Sequence, residues 1–234
     1  MLLSKEKLSR ELQMLTAKEE ITAIVKKEYR IGMVNTFEGN VSMRIGDTVL
    51  VTPSQIPKES MVPEQVIEMD LEGNVLKALP GIVPSIETNM HLALYRLRGD
   101  IKAIVHNHSV YASAFAMTAE GMRSESNFEL NYLFGDVPVV PYGRAGTEAV
   151  YKEFDKYLGN RHGLLLANHG LVTFGTTLEN AFSYAEGIEK IAHTMLIARM
   201  LGGEQPLPAG EAAALRQIGS EKRDKEIQMA LEQG

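Results

Sequence analysis

The stretch Asp100-Ile101-Lys102-Ala103-Ile104-Val105-His106-Asn107-His108-Ser109 runs from an apolar segment into two histidines separated by one residue. A strand carries residues i and i+2 on one face, whereas a helix turns them about 200° apart, so the imidazoles converge only if this chain is extended. Ala103-Ile104-Val105 supplies the extension, and Asn107 falls on the opposite face. His106 and His108 can then share one ion at nitrogen–metal distances of about 2.0–2.1 Å. A zinc site takes more than two ligands. The third candidate is His169 in Leu164-Leu165-Leu166-Ala167-Asn168-His169-Gly170, another apolar run that ends in polar residues, as a strand does when it delivers a side chain to a cleft.

Working outward from the histidine strand, Pro84-Ser85 opens a helical pattern over 87–97, and Ser109 is placed to cap a small-residue helix over 110–119. Upstream, Asn40–Ile45 and Thr48–Thr52 flank Gly46-Asp47, a strong hairpin signal, and Val66–Asp70 with Asn74–Lys77 repeat it more weakly around Glu72-Gly73. Two hairpins argue against a purely parallel sheet. The first ~33 residues read as helical in two pieces, the second starting at the capping box Thr16-Ala17-Lys18-Glu19. Downstream, residues 120–137 read as a long irregular loop, Val137–Val140 as a strand and Thr147–Leu158 as a helix. Short strands are expected on either side of Asn168-His169-Gly170, then a long helix from Thr177 to about Leu201 and a charged one over 211–232.

Composition narrows the function. With 234 residues, 44% hydrophobic and 23% charged, and with no Pro/Gly/Ser-rich linker, the chain reads as a single domain over 1–234. A formal charge of −6 removes the usual electrostatic reason to bind nucleic acid or an anionic membrane. The chain has no cysteine, so His, Asp and Glu are the available metal ligands. The opening Met1–Leu8 lacks the apolar core of a leader, and no run approaches 18 apolar residues, so the expectation is a cytoplasmic protein.

Gly39-Asn40-Val41-Ser42, Thr52-Pro53-Ser54, Pro84-Ser85-Ile86-Glu87, Val105–His108 and Asn168-His169-Gly170 occur in this order and spacing. Together they resemble the zinc-dependent class II aldolase/adducin family, whose members include sugar-phosphate aldolases. The resemblance covers about residues 10 to 200. It implies a three-layer α/β/α fold around a mixed, largely antiparallel sheet, with His106, His108, His169 and Glu87 at a zinc ion, Mn2+ or Co2+ being alternatives. Glu87 takes the place of the catalytic carboxylate, a role that partial burial would serve by raising its pKa toward neutrality. The implied reaction is aldol cleavage of a ketose or ketose phosphate between C3 and C4 through a metal-bound enediolate. Related epimerase, dehydratase and decarboxylase reactions are alternatives, and a non-catalytic adducin-like scaffold is the third reading.

By the same resemblance, Gly39, Asn40, Ser54, Gln55, Ser85 and Ile86 form the substrate cradle. Gln55 stands where a glycine would let the backbone approach a phosphate, and Ile86 replaces a second serine, so recognition of a phosphate is left open. The family also implies a homotetramer with active sites between subunits, reached by loop 120–137 and the C-terminal helix. A partner-supplied proton donor would fall near Ser126–Tyr132, where Tyr132 is displaced from the expected position. His91, His162 and His193 are not assigned to the metal, and His91 is expected to be a hydrogen-bonded core residue.

Overall fold

The computed structural model describes residues 5–233; residues 1–4, on which part of the N-terminal reading rests, and residue 234 lie outside that range. The chain opens with helix α1 (Lys5–Arg30), one 26-residue helix instead of two pieces. The capping box lies inside it. No Gly or Pro interrupts residues 5–30, and once a helix is nucleated each further residue adds a hydrogen bond at little cost. Its two halves still differ, because Ala17, Ile21 and Val25 are buried whereas Leu8, Leu12 and Leu15 are exposed.

Eight strands form one sheet: β1 (Asn40–Ile45), β2 (Thr48–Val51), β3 (Ile67–Asp70), β4 (Val75–Lys77), β5 (Ala103–Asn107), β6 (Val139–Val140), β7 (Gly163–Leu166) and β8 (Gly170–Gly175). Their order is β4-β3-β2-β1-β5-β8-β7-β6, and every pair is antiparallel except β6 with β7. The expected mixed, largely antiparallel sheet is therefore found. The β1–β2 hairpin closes with Ile45 opposite Thr48 and with Gly46 at φ 59°, a conformation that glycine adopts without strain. In the β3–β4 hairpin Asp70 accepts the amides of Glu72 and Asn74 and the side-chain amide of Asn74, which folds the turn back on itself.

The remaining helices are α2 (Thr88–Leu97), α3 (Val110–Ala116), α4 (Phe154–Leu158), α5 (Leu178–Met200) and α6 (Glu211–Gln233). Strand alternation sends Val105, Leu165 and Leu171 to one face, where they pack with Ile21 of α1, Ala112 of α3 and Ile188 of α5. Ile104, Leu164 and Val172 go to the other, with Leu94 of α2 and Phe154 of α4. The result is three layers with a core on each side of the sheet. No helix among the described residues is long and apolar enough to cross a membrane.

Three local expectations are corrected. Ser109 occupies the position before α3 but its hydroxyl makes no capping bond; Glu189 of α5 instead accepts the amides of Tyr111 and Ala112 at 3.0 and 2.8 Å. A carboxylate at a helix start is favoured by the dipole as well as by the hydrogen bonds. The expected helix 147–158 divides into a 3-10 turn, Glu148–Val150, and the short α4, with Val150 and Phe154 both drawn into the core. Residues 120–137 are not wholly irregular, since Leu130–Phe134 forms a π-helical turn on which α6 packs.

Candidate metal centre

β5 delivers His106 to the face of the sheet covered by α2, and His108 follows just past its end. The antiparallel neighbour β8 pairs Val172 with His106, so the turn between β7 and β8 holds His169 beside them. That turn depends on Asn168 at φ 57° and on Gly170, where an added Cβ would lie 2.5 Å from the Asn107 carbonyl and 2.8 Å from the His108 ring. Glu87 sits at the N-terminal end of α2 on the same face.

The four side chains meet. Their ligand atoms lie within 4.8 Å of one another, the one such group of three or more His, Asp or Glu found among the described residues. Glu87 places one oxygen 3.2 Å from His106 Nε2 and the other 3.1 Å from His169 Nε2. The Nε2 atoms of His106 and His108 are 3.2 Å apart, and the three rings are mutually edge-on with centroids 4.8–5.0 Å apart. His106 is oriented from behind, its Nδ1–H donating to the Leu171 carbonyl at 2.9 Å, so in the neutral ring Nε2 carries the lone pair turned to the centre. Three imidazole nitrogens and a carboxylate suit a borderline divalent cation such as zinc. Three nitrogens crowded together, with two of them against a carboxylate, make a donor set that a cation would satisfy.

Electrostatics separates the members. Burial alone would raise Glu87, but His106 and His169 more than offset it and hold the carboxyl well below the usual range. Burial alone therefore does not draw Glu87 toward neutrality, because the two imidazoles outweigh it. Burial would lower His106, yet Glu87 beside it raises it. His108 is pushed down to about 4 by burial and by His106 and His169, which leaves it neutral and able to ligate near pH 7.

Of the residues expected to form a substrate cradle, Asn40, Ser85 and Gly39 contact the cluster or its backbone. Asn40 donates its side-chain amide to Glu87 at 2.8 Å, so it positions the carboxylate. Gly39, at φ 74°, passes so near β5 that a Cβ would lie 3.0 Å from the His106 carbonyl oxygen. The loops carrying Ser54 and Ser85 meet through a bridge between Pro53 and Pro84 and through the Ser54 amide, which donates to the Val83 carbonyl. The Ser85 hydroxyl accepts the Glu87 amide at 3.3 Å. Gln55 has φ 55°, and Ile86, 67% exposed, lies against Gly146. His91 is a hydrogen-bonded core residue as expected, its Nδ1 2.7 Å from the Ser42 hydroxyl, which also meets the Tyr95 hydroxyl at 2.7 Å. Burial lowers it to about 3. His162 and His193 stack on Tyr184 and Tyr111, away from the cluster.

One group was missed in the sequence. Asn107, on the back of β5, donates to the fully buried Glu28 of α1 at 2.9 Å and accepts the Ser109 amide at 3.3 Å. It thereby fixes the strand end between the two histidines. The available signal was a carboxylate on the apolar stripe Ile21, Val25, Glu28, where the spacing places it inward.

Residues 19–196 match the model of the Class II Aldolase and Adducin N-terminal domain. The chain belongs to the class II aldolase/adducin family. It is similar to the 5-deoxy-D-ribulose 1-phosphate aldolase of Bacillus thuringiensis serovar kurstaki, 33% identical over 83% of this chain and 91% of that protein. It is also similar to the 3-oxo-tetronate 4-phosphate decarboxylase of Escherichia coli O6:H1, at 32% identity over 85% of this chain and 94% of that one. Among solved structures, an L-fuculose 1-phosphate aldolase superposes with a TM-score of 0.79 at 29% identity, covering 86% of this chain and 95% of its own.

Proposed function

We propose that the chain is a metal-dependent aldolase that cleaves a ketose or ketose phosphate between C3 and C4, with His106, His108 and His169 holding zinc and Glu87 moving the proton. The observation that carries this reading is the Glu87 carboxylate, set 3.1–3.2 Å from two imidazole nitrogens and held there by Asn40. When bound, the cation would supply Lewis-acid stabilisation of the negative charge that develops on the carbonyl oxygen as the carbon–carbon bond breaks. Glu87 is anionic and so begins as a base. In cleavage it would accept the proton of the substrate hydroxyl and return it to the carbon next to the ketone; in the synthetic direction it would take the proton from that carbon and return it to the new hydroxyl. Asn40 keeps one carboxylate oxygen engaged and so directs the other.

Gln55 bears on the substrate. Its positive φ keeps the backbone in the conformation that a glycine would take, and the amides of Gln55 and Ile86 donate to no protein group among the described residues. Two free amides beside the Ser54 and Ser85 hydroxyls support an anion cradle for a substrate phosphate, built without a cationic side chain. A second reading, decarboxylation of a sugar-acid phosphate at the same centre, is favoured by the similarity to the tetronate phosphate decarboxylase. Assembly as a homotetramer with shared active sites, and a cytoplasmic location, complete the proposal on the strength of the family. Product analysis tests it: a ketose 1-phosphate should yield an aldehyde and dihydroxyacetone phosphate. Release of carbon dioxide from a 3-oxo acid phosphate with no aldol cleavage of any ketose would replace the first reading by the second.

A further inference from the structure

A second polar cavity lies beneath α6 and shares no residue with the histidine cluster. Its volume is about 410 Å3, within the range of small-molecule sites. Four arginines line it: Arg123 from the segment after α3, Arg161 from the turn before β7, and Arg216 and Arg223 from α6. Asp136 is the single carboxylate of the lining, which leaves a clear positive excess in a chain whose formal charge is −6.

The existing contacts do not use up this charge. Arg161 is committed, its guanidinium forked onto Asp136 with contacts of 2.6 and 3.2 Å. Arg216 gives one nitrogen to Asn131 at 2.7 Å and to the exposed Glu125 at 3.1 Å. Arg223 donates Nη1 to the carbonyls of Tyr132 and Leu133, which are left open at the end of the π-helical turn, and this accounts for its burial. Its Nε remains without a partner although the residue is only 5% exposed. A buried, unpaired donor on a charged group is costly, which favours a ligand that completes it. Arg123 has no hydrogen-bond or ion-pair partner among the described residues. Asn160 donates to the Ser220 hydroxyl at 2.9 Å, so the hydroxyl hydrogen is free to be offered elsewhere.

We propose that this cavity binds a small dianionic oxyanion, the phosphate group of a metabolite or inorganic phosphate itself, held by Arg123, Arg216, Arg223 Nε and the Ser220 hydroxyl. Guanidinium forks match tetrahedral oxyanions in geometry and charge. The ligand would join α6 to the segment after α3 and to the turn before β7, so its binding should also steady the C-terminal helix. This inference goes beyond the proposed reaction and does not depend on it.

The test is calorimetric titration of inorganic phosphate into the metal-loaded full chain. Because a substrate cradle could also take phosphate, the titration is repeated on Ser54→Ala with Ser85→Ala, where one phosphate site is expected to survive. Within that background Arg123→Glu should weaken binding at least tenfold. Arg123 is exposed, and no described hydrogen bond or ion pair is lost with it. Arg223→Lys, which retains the charge but removes Nε, should weaken it several-fold and lower the phosphate-dependent rise in Tm. Loss of all phosphate binding in the cradle variant would overturn the proposal, as would binding indifferent to both arginine changes. A crystal structure grown in phosphate that shows a carboxylate of a second copy in the cavity would overturn it too.

Discussion

Two carboxylates, Glu87 half-buried and Glu28 fully buried, stand on opposite sides of β5, and they behave in opposite ways. Glu87, in front, lies against the imidazoles of His106 and His169, which hold it far below the ordinary carboxylate range. Glu28, behind, faces the neutral amide of Asn107, and burial raises it to about 7, with Asn107, Lys58 and His106 offsetting only part of the rise. Burial penalises both anions, so what differs is the company each keeps. The front carboxylate is surrounded by groups that can carry positive charge or bind a cation. The back one serves as a hydrogen-bond acceptor that pins the strand. A single strand thus presents a face that gathers candidate metal ligands and a bracing face, with Asn107 turned backward between two histidines turned forward.

The sharpest way to break this comparison is to remove the front. His106→Ala or His169→Ala should abolish both stoichiometric zinc and turnover, measured by metal analysis of the purified protein and by product assay. Full metal occupancy in His169→Ala at low free zinc would remove that residue from the ligand set. Next in size, Glu87→Gln should retain metal and substrate affinity while kcat falls by about 10²–10⁴, because the amide fills the space without exchanging a proton. Exchange of the proton next to the ketone should fall in parallel, and unchanged exchange would place the base elsewhere.

The back face gives a smaller effect with a distinct pH signature. Glu28 has its folded pKa raised from its ordinary 4.5 to about 7, so the folded state holds its proton more tightly than the unfolded chain. The associated stability is fully present below pH 4.5 and is lost as pH rises to 7, by about 3 kcal/mol at 1.36 kcal/mol per pH unit. Glu28→Gln should therefore gain stability relative to the unaltered protein across that window, followed by urea unfolding at pH 4.5 and 7.5. An identical pH slope in the two proteins would show that Glu28 does not titrate there. The smallest effect is expected at the cradle: Gln55→Gly with Ile86→Ser should raise the preference for a phosphorylated over a free ketose by about tenfold in kcat/KM, one charge-assisted hydrogen bond's worth. A strong phosphate preference that the double change leaves untouched would assign the anion to other groups.

The front face was largely legible in the sequence and the back was not, for a physical reason. His106 and His108 announce themselves by a period of two within a few residues, and the Gly46-Asp47 hairpin is equally local. The bond between Glu28 and Asn107 spans 79 positions, and that between Glu189 and Tyr111 spans 78, so no local pattern carries either. Local signals also competed with each other. Thr16–Glu19 has the form of a helix start, yet it sits in a run without a breaker, and Ser109 has the form of a cap, yet a distant carboxylate offers the amides of α3 a charged acceptor. Gln55 was read as a departure from glycine, and its left-handed backbone could not be seen from residue type alone.

The pairing of β5 with β8 has a consequence in time. His106 Nδ1 is oriented by Leu171, 65 residues further along the chain, and His169 reaches the cluster only when these strands are in register. An ion could therefore be held by the three histidines only after most of the chain has been gathered, so it would not act as a nucleus. Zinc should leave the refolding rate nearly unchanged and slow unfolding, since it stabilises contacts that the transition state lacks. In stopped-flow measurements the unfolding limb alone should move with added metal, which would make the ion a latch on a finished fold.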